Sequence, residues 1–248
     1  MTQVATITYS QSRFTLFCRD VVDASGHKHG ADGNFGSGGS AKKKSKPEDK
    51  PKNSEDSATK PSNSTQEARV SIAKPVGDPE KFEKKHYSAW QSKLSTSEKK
   101  AIEAYTGYAY EFINKALRNN TPLSPDETTI ASDLDKALKK TSAPENFLAY
   151  RTVSPNVLAK LEVGKTVTDN GFMSTTLENG AFEPHDGGGR NNALIHLEIP
   201  KGTKGAAISE LSKAKYEYEF LLPRGSKIKI HKIERVGKTT HVHATVVN

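Results

Sequence analysis

Cysteine is almost missing: Cys18 is the only one in 248 residues. No disulfide can close within the chain, and no cysteine-based zinc cluster can form. No apolar run is long enough to cross a bilayer. The opening MTQVATITYSQSR has neither the basic start nor the apolar middle of a secretory signal peptide. If the protein leaves the cell that makes it, the expectation is that another route carries it. Hydrophobic residues reach 33% and aromatics 7%, which is little for a chain that packs throughout, so part of it builds no core. No Gly-x-Gly-x-x-Gly follows a strand-like run, which excludes a dinucleotide-binding βαβ unit. A large excess of one charge sign is also missing: 37 basic residues face 29 acidic ones, for a net +8. That mixture is a solubility feature, and nucleic acid is not an expected partner, even at the lysine-rich stretch Lys42–Lys52.

What is there divides into three parts. Residues 1–25 hold an alternating piece, ATITYSQSRFTLFCRDVV, which reads as a hairpin turning at Ser10–Ser12 and is too small to stand alone. Residues 26–77 are Gly, Ser, Lys, Pro and acid, and cannot bury enough apolar surface to offset the entropy of ordering. This is the composition of a disordered tether. His27 and His29 within it read as polar filler, and no metal site is expected. Residues 78–248 are the folded domain.

In that domain helical periodicity comes first. Tyr87, Trp90 and Leu94 keep helical spacing, and Ser95-Thr-Ser-Glu98 is a capping-box pattern that starts a second helix. Ile102, Tyr105, Ala109, Phe112, Ile113 and Leu117 predict one apolar stripe, and a further helix follows Ser124-Pro125. After Pro144 the period falls to two. NFLAYRTV, GKTVTDNGFMSTTL, ALIHLEIP, GAAIS, YEYEFLLP, SKIKIHKIERV and THVHATVV all read as strands, with a short helix at SPNVLAKL. Helices followed by strands predict an α+β fold with mostly antiparallel sheets.

Three features of the strand half suit chemistry better than packing. Arg151 directly follows an apolar strand segment, and a buried arginine needs an anion or a strong acceptor. Ser174-Thr175-Thr176 puts three hydroxyls where core residues would fit. Glu217 and Glu219 stand two apart in YEYEFLLP, and strand alternation predicts that both carboxylates point the same way. Each has a plain alternative: an edge arginine facing water, a common strand sequence, and the solvent face of an amphipathic strand.

Together and in this order, these residues resemble the catalytic signature of the arginine-specific mono-ADP-ribosyltransferases, an arginine, a serine motif and Glu-x-Glu on successive strands. The likeness runs through YRTVSPNVLAKLEVGKTVTDNGFMSTTL and ALIHLEIPKGTKGAAISELSKAKYEYEFLLPRGSKIKI, including the Leu-Leu-Pro-Arg-Gly after the second glutamate. YTGYAYEFINKALR resembles the helix before the catalytic core of the binary actin-modifying toxins. The resemblance implies helices followed by two packed, roughly perpendicular antiparallel sheets, with NAD as substrate in the cleft and no metal. It implies that Glu219 stabilises the ribose cation left as nicotinamide departs, that Glu217 orients and deprotonates the acceptor arginine, and that Ser174 holds the Glu219 rotamer. Arg151 and Arg190 would contact NAD phosphates. Thr152 stands where many relatives carry a second arginine, so only its backbone could serve. Tyr105, Tyr110, Asn114 and Gly171 match cofactor contacts, although helix core accounts for the tyrosines nearly as well. Phe182 would stack on nicotinamide, in a loop that Gly187-Gly188-Gly189 makes mobile. Tyr216 would recognise the target, while Ala214 occupies a place where relatives carry an aromatic.

The same signature leaves two other functions open: an NAD glycohydrolase, and a non-catalytic virion or interaction protein with a vestigial site. GHKHGADGNFGSGG resembles segments of bacteriophage head and portal-associated proteins. That implies attachment to a phage capsid or portal through the N-terminal region, with virion or host cytoplasm as location and a host protein carrying the acceptor arginine as partner. A secreted bacterial effector or toxin component is the alternative source.

Overall fold

The structure is a computed structural model that describes residues 73–179, 193–237 and 239–247. The expected N-terminal hairpin, the tether up to residue 72, and the loop carrying Phe182, Gly187–Gly189 and Arg190 lie outside the described residues.

Four helices precede the main run of strands. α1 (Pro79–Ser92) starts where the Asp78 side chain accepts from Lys81 N–H at 3.0 Å. α2 (Thr96–Ala104) carries the expected capping box, with Ser95 and Glu98 satisfying each other's backbone donors. One π-helical turn (Tyr105–Ala109) joins it to α3 (Tyr110–Arg118). α4 (Pro125–Lys139) has a second capping box, Ser124 with Glu127, and proline in its first turn.

The π turn changes the expected stripe. Tyr110 N–H bonds to Tyr105 C=O, five residues back rather than four, and shifts the phase of everything after it by one residue. Phe112 therefore leaves the stripe and is 57% exposed, while Ile113 and Asn114 turn inward. At α-helical spacing Tyr105 and Tyr110 would diverge; here their rings meet edge-on at 6.3 Å.

The strands are β1 (Lys74–Pro75), β2 (Phe147–Val153), β3 (Thr166–Asp169), β4 (Met173–Thr176), β5 (Ala193–Ile199), β6 (Ala206–Ala207), β7 (Glu219–Leu222), β8 (Ser226–Val236) and β9 (Thr239–Val247), with the short helix α5 (Pro155–Leu158) after β2. The α+β class holds. The strands form one hydrogen-bonded path, β3-β8-β9-β5-β2-β4-β7-β6, whose two parts join at the single pair Tyr150↔Thr176 between β2 and β4. Most pairings are antiparallel, but β5–β9 and β1–β2 are parallel. Lys74 and Pro75, which composition assigned to the tether, pair with Phe147 and Leu148 and so belong to the sheet.

Alternation gives the central strands two faces. Phe147, Ala149, Ile195, Leu197, Val242 and Ala244 enter the core beside Phe82, Tyr87 and Phe220. The other face carries a column of imidazoles. The His196 ring stacks on His241 at 5.1 Å and on His243 at 4.8 Å, with Tyr150 edge-on at 5.5 Å. His196 Nε2 and His241 Nδ1 share a hydrogen bond of 2.8 Å, and His243 Nε2 meets Glu234 Oε1 at 3.0 Å. Burial, with the two neighbouring histidines, pushes the His196 pKa down to about 4.

Candidate active site

β4 and β7 build the floor of the site. Thr176 pairs with Glu219 and Ser174 with Leu221, so alternation puts Ser174 on the face that bears Glu219. Thr175 points the other way and donates to Phe220 C=O at 2.7 Å. Both serine-motif neighbours, Thr175 and Thr176, are buried with Ser174.

The two glutamates do not share a strand. Glu219 opens β7, whereas Glu217 ends a 3-10 turn, Lys215–Glu217. Tyr218 between them is left-handed, at φ 44° and ψ 48°. Strand alternation is therefore not what unites the carboxylates; the turn at Tyr218 redirects the chain. Both are nonetheless buried, at 4% and 2% exposure, and the Glu217 charge acts on Glu219.

Burial pushes the Glu219 pKa up to about 8; the Glu217 charge adds to the rise, and the Ser174 hydroxyl and Arg151 oppose it. Ser174 is near enough to influence both Glu219 and Tyr105, yet its Oγ closes no hydrogen bond of ordinary geometry. Among the described residues, Glu219 Oε1 is likewise buried without a hydrogen-bond partner. Arg151 is half-buried and donates from Nη1 to Ser174 C=O at 2.6 Å, so a backbone carbonyl is one of its acceptors. Its guanidinium ties β2 to the serine motif while its charge acts on Glu219. Thr152 follows Arg151 on β2, so its side chain leaves on the opposite face.

The residues expected to contact the cofactor from the helices are largely engaged within the protein. Tyr105 is fully buried; its hydroxyl accepts from Asn114 Nδ2 at 2.8 Å and its ring packs on Phe172 at 5.6 Å. Asn114 Oδ1 accepts from Phe172 N–H at 2.8 Å. Tyr110 is half-buried beside Tyr105. Gly171 has a steric reason to be glycine: an added Cβ would lie 2.8 Å from Asn114 Oδ1 and 3.0 Å from Arg118 Nε. Tyr216 is 62% exposed in the 3-10 turn, and Ala214 just before that turn is buried.

Two supports escaped the sequence reading. Arg118 holds Asp169 through Nε at 2.8 Å and Nη2 at 2.9 Å, which fixes the turn before β4 against α3. Glu83 on α1 accepts from Ser209 N–H at 3.1 Å, Glu210 N–H at 3.0 Å and Gln91 Nε2 at 2.8 Å, which fixes the loop that leads to Glu217. A signal existed for the second: Glu83 falls in register with Tyr87 and Trp90 on the apolar face of α1. On the other side of that loop, Lys213 N–H donates to Thr106 Oγ1 at 3.1 Å, and Lys213 pairs with Glu103. No group of three or more His, Cys, Asp or Glu is arranged to hold a metal among the described residues.

The profile of the ADP-ribosyltransferase exoenzyme family matches residues 79–247. The chain belongs to that family. An NAD(+)--arginine ADP-ribosyltransferase, EFV, of Enterococcus faecalis is 29% identical over 157 residues, 61% of this chain and 32% of that protein. The NAD(+)--protein-arginine ADP-ribosyltransferase Tre1 of Serratia proteamaculans is 36% identical over 146 residues, 57% of this chain and 30% of that protein. This ADP-ribosyltransferase exoenzyme chain thus aligns with about a third of the length of these two curated relatives. Among solved structures, Plx2a, an ADP-ribosyltransferase toxin from Paenibacillus larvae, superposes with a TM-score of 0.61 at 29% identity, covering 68% of this chain and 95% of that one. The α+β architecture is therefore the ADP-ribosyltransferase fold.

Proposed function

We propose that the chain transfers ADP-ribose from NAD to arginine side chains of a protein, releasing nicotinamide, by way of the arginine–serine–glutamate signature Arg151, Ser174 and Glu219. The observation that carries this reading is that buried Glu219 feels the charge of a second buried carboxylate, Glu217, together with the Ser174 hydroxyl and Arg151, in a chain of this family. Two buried like charges are costly alone and useful between two cations.

Glu219 faces the ribose carbon as its bond to the nicotinamide nitrogen breaks. Nicotinamide leaves with the bonding pair, and the carboxylate stabilises the positive charge that develops on the sugar more than it stabilises the ground state. Ionised Glu219 is disfavoured by burial; the cationic nicotinamide ring beside it lowers that cost. Glu217 accepts a proton from the acceptor guanidinium, whose freed nitrogen pair forms the new bond to the sugar carbon. Arg151 and Arg190 hold the phosphates, Phe182 stacks on nicotinamide, and Gly171 and Tyr110 contact the cofactor. Tyr216, exposed three residues before Glu219, meets the protein that carries the arginine. The likeness of GHKHGADGNFGSGG to phage head and portal-associated segments supports a capsid-attached enzyme acting on a host protein.

The test is incubation with labelled NAD and a bacterial lysate, followed by mapping of modified residues. Label on arginine side chains with stoichiometric nicotinamide release is expected. Nicotinamide release without protein label indicates a glycohydrolase; neither product sinks the reading.

A further inference from the structure

Beneath Glu219 and Ser174 stand two buried polar groups, Tyr105 and Asn114, to which the proposed chemistry assigns nothing. Phe172 N–H donates to Asn114 Oδ1, and Asn114 Nδ2 donates to the Tyr105 hydroxyl, each at 2.8 Å. The first bond settles the amide: its oxygen faces a backbone donor, so its NH2 faces Tyr105. The Tyr105 oxygen is then the acceptor, and its own proton is directed elsewhere. The Ser174 hydroxyl comes next in this column: strand register puts it on the face that bears Glu219, and it acts on both Tyr105 and Glu219. Among the described residues, Ser174 Oγ and Glu219 Oε1 find no hydrogen-bond partner although both are buried. Tyr105, Asn114, Ser174 and Glu219 are all more than nine-tenths buried.

We propose that Tyr105, oriented by Asn114, is a positioning residue that donates its hydroxyl proton to Ser174 Oγ and so turns the Ser174 proton onto Glu219. Every donor in the column then points toward the carboxylate: Asn114 to Tyr105, Tyr105 to Ser174, Ser174 to Glu219. A carboxylate at the end of such a chain keeps one rotamer and holds its negative charge in a site that otherwise disfavours it. The π turn makes the column possible, because its extra residue brings Tyr105, Tyr110 and Asn114 onto one helix face. The inference deepens the proposed function and rests on it for the role of Glu219.

Tyr105→Phe keeps the ring packing and removes the proton; Asn114→Asp keeps the Tyr105 hydroxyl but draws its proton away from Ser174. In both, kcat for nicotinamide release is expected to fall about tenfold, the size of one hydrogen bond. KM for NAD stays within about twofold, and the acid limb of the kcat–pH profile moves to higher pH. In NAD-free protein, a carbon-13 carboxylate titration, with Glu219 assigned by its loss in Glu219→Gln, is expected to show Glu219 titrating at higher pH in either variant; one folded variant suffices. A raised KM with an unmoved acid limb overturns the proposal in favour of direct NAD contact. A lower kcat and Tm with an unmoved Glu219 titration overturns it in favour of packing alone. A wild-type protein that releases no nicotinamide defeats the functional reading, while the titration still decides the column.

Discussion

The Glu83 carboxylate on α1 receives the Ser209 backbone N–H at 3.1 Å across 126 residues of sequence. With Glu210 N–H on its other oxygen, it anchors the loop that ends in Glu217. Glu83→Leu leaves both backbone donors without their acceptor inside the protein. The expected cost is roughly 1–3 kcal/mol for each donor that stays buried, read as a lower denaturant midpoint. Transfer to arginine should fall more than NAD hydrolysis, because the loop carries Glu217 while β7 carries Glu219. Equal losses in both assays would place the effect in the fold as a whole.

Charge removal should separate the two carboxylates. Glu219→Gln is expected to lower hydrolysis and transfer alike by on the order of 100-fold, the scale of losing one preorganised electrostatic group. Glu217→Gln is expected to spare hydrolysis and abolish transfer, since water needs no guanidinium partner. One preparation assayed for nicotinamide and for protein label decides it; equal loss of both activities in both mutants would defeat the division of roles.

The raised pKa of Glu219, about 8, has two consequences. On the proposed mechanism the active form is ionised, so kcat/KM should rise with pH and level off above about 8, with a lower acid limb in kcat once a cationic nicotinamide is bound. For folding the sign is opposite. A carboxyl raised in the folded state contributes stability that is fully present below its unfolded value and is lost as pH rises through the folded one. Glu219→Gln should therefore raise Tm at pH 8 by more than it does at pH 4.5, the group's reference value. Thermal scans at the two pH values measure it; an equal shift at both would remove burial as the cause.

The imidazole column gives the protein an acid limit. His196, lowered to about 4 from 6.5, contributes stability present above pH 6.5 and lost as pH falls through 4, because the unfolded chain takes up its proton first. Glu234, the one carboxylate favouring its charged form, acts more weakly than burial and the two flanking histidines. His196→Gln should flatten the fall in Tm between pH 6.5 and 4. An unchanged slope would locate acid sensitivity elsewhere.

Much of the candidate site was legible because its residue types are ones that packing does not call for. Arg151, Ser174, Glu217 and Glu219 stood out as polar groups in apolar strands, and the structure brings them together. The capping boxes at Ser95 and Ser124 were local and so readable. The π turn was not, since one extra residue in a helix has no compositional mark, and Phe112 fell on the wrong side of the expected stripe. Nor was the turn at Glu217, because YEYEFLLP keeps strand alternation while Tyr218 breaks it with a backbone that residue type gives no warning of. The Arg118–Asp169 pair joins residues 51 apart, and neither partner announces the other.

Tyr218 divides the two carboxylates between two mechanical supports. Glu219 belongs to a sheet strand locked to β4, and Glu217 to a single turn on a loop. On the proposed division of roles, changes in that loop would alter which proteins are modified without disturbing how NAD is cleaved. Under those proposed roles, substitutions in Ser212–Tyr216 would be free to change the target while the sheet-borne half keeps its geometry, and the left-handed Tyr218 is the joint between the two.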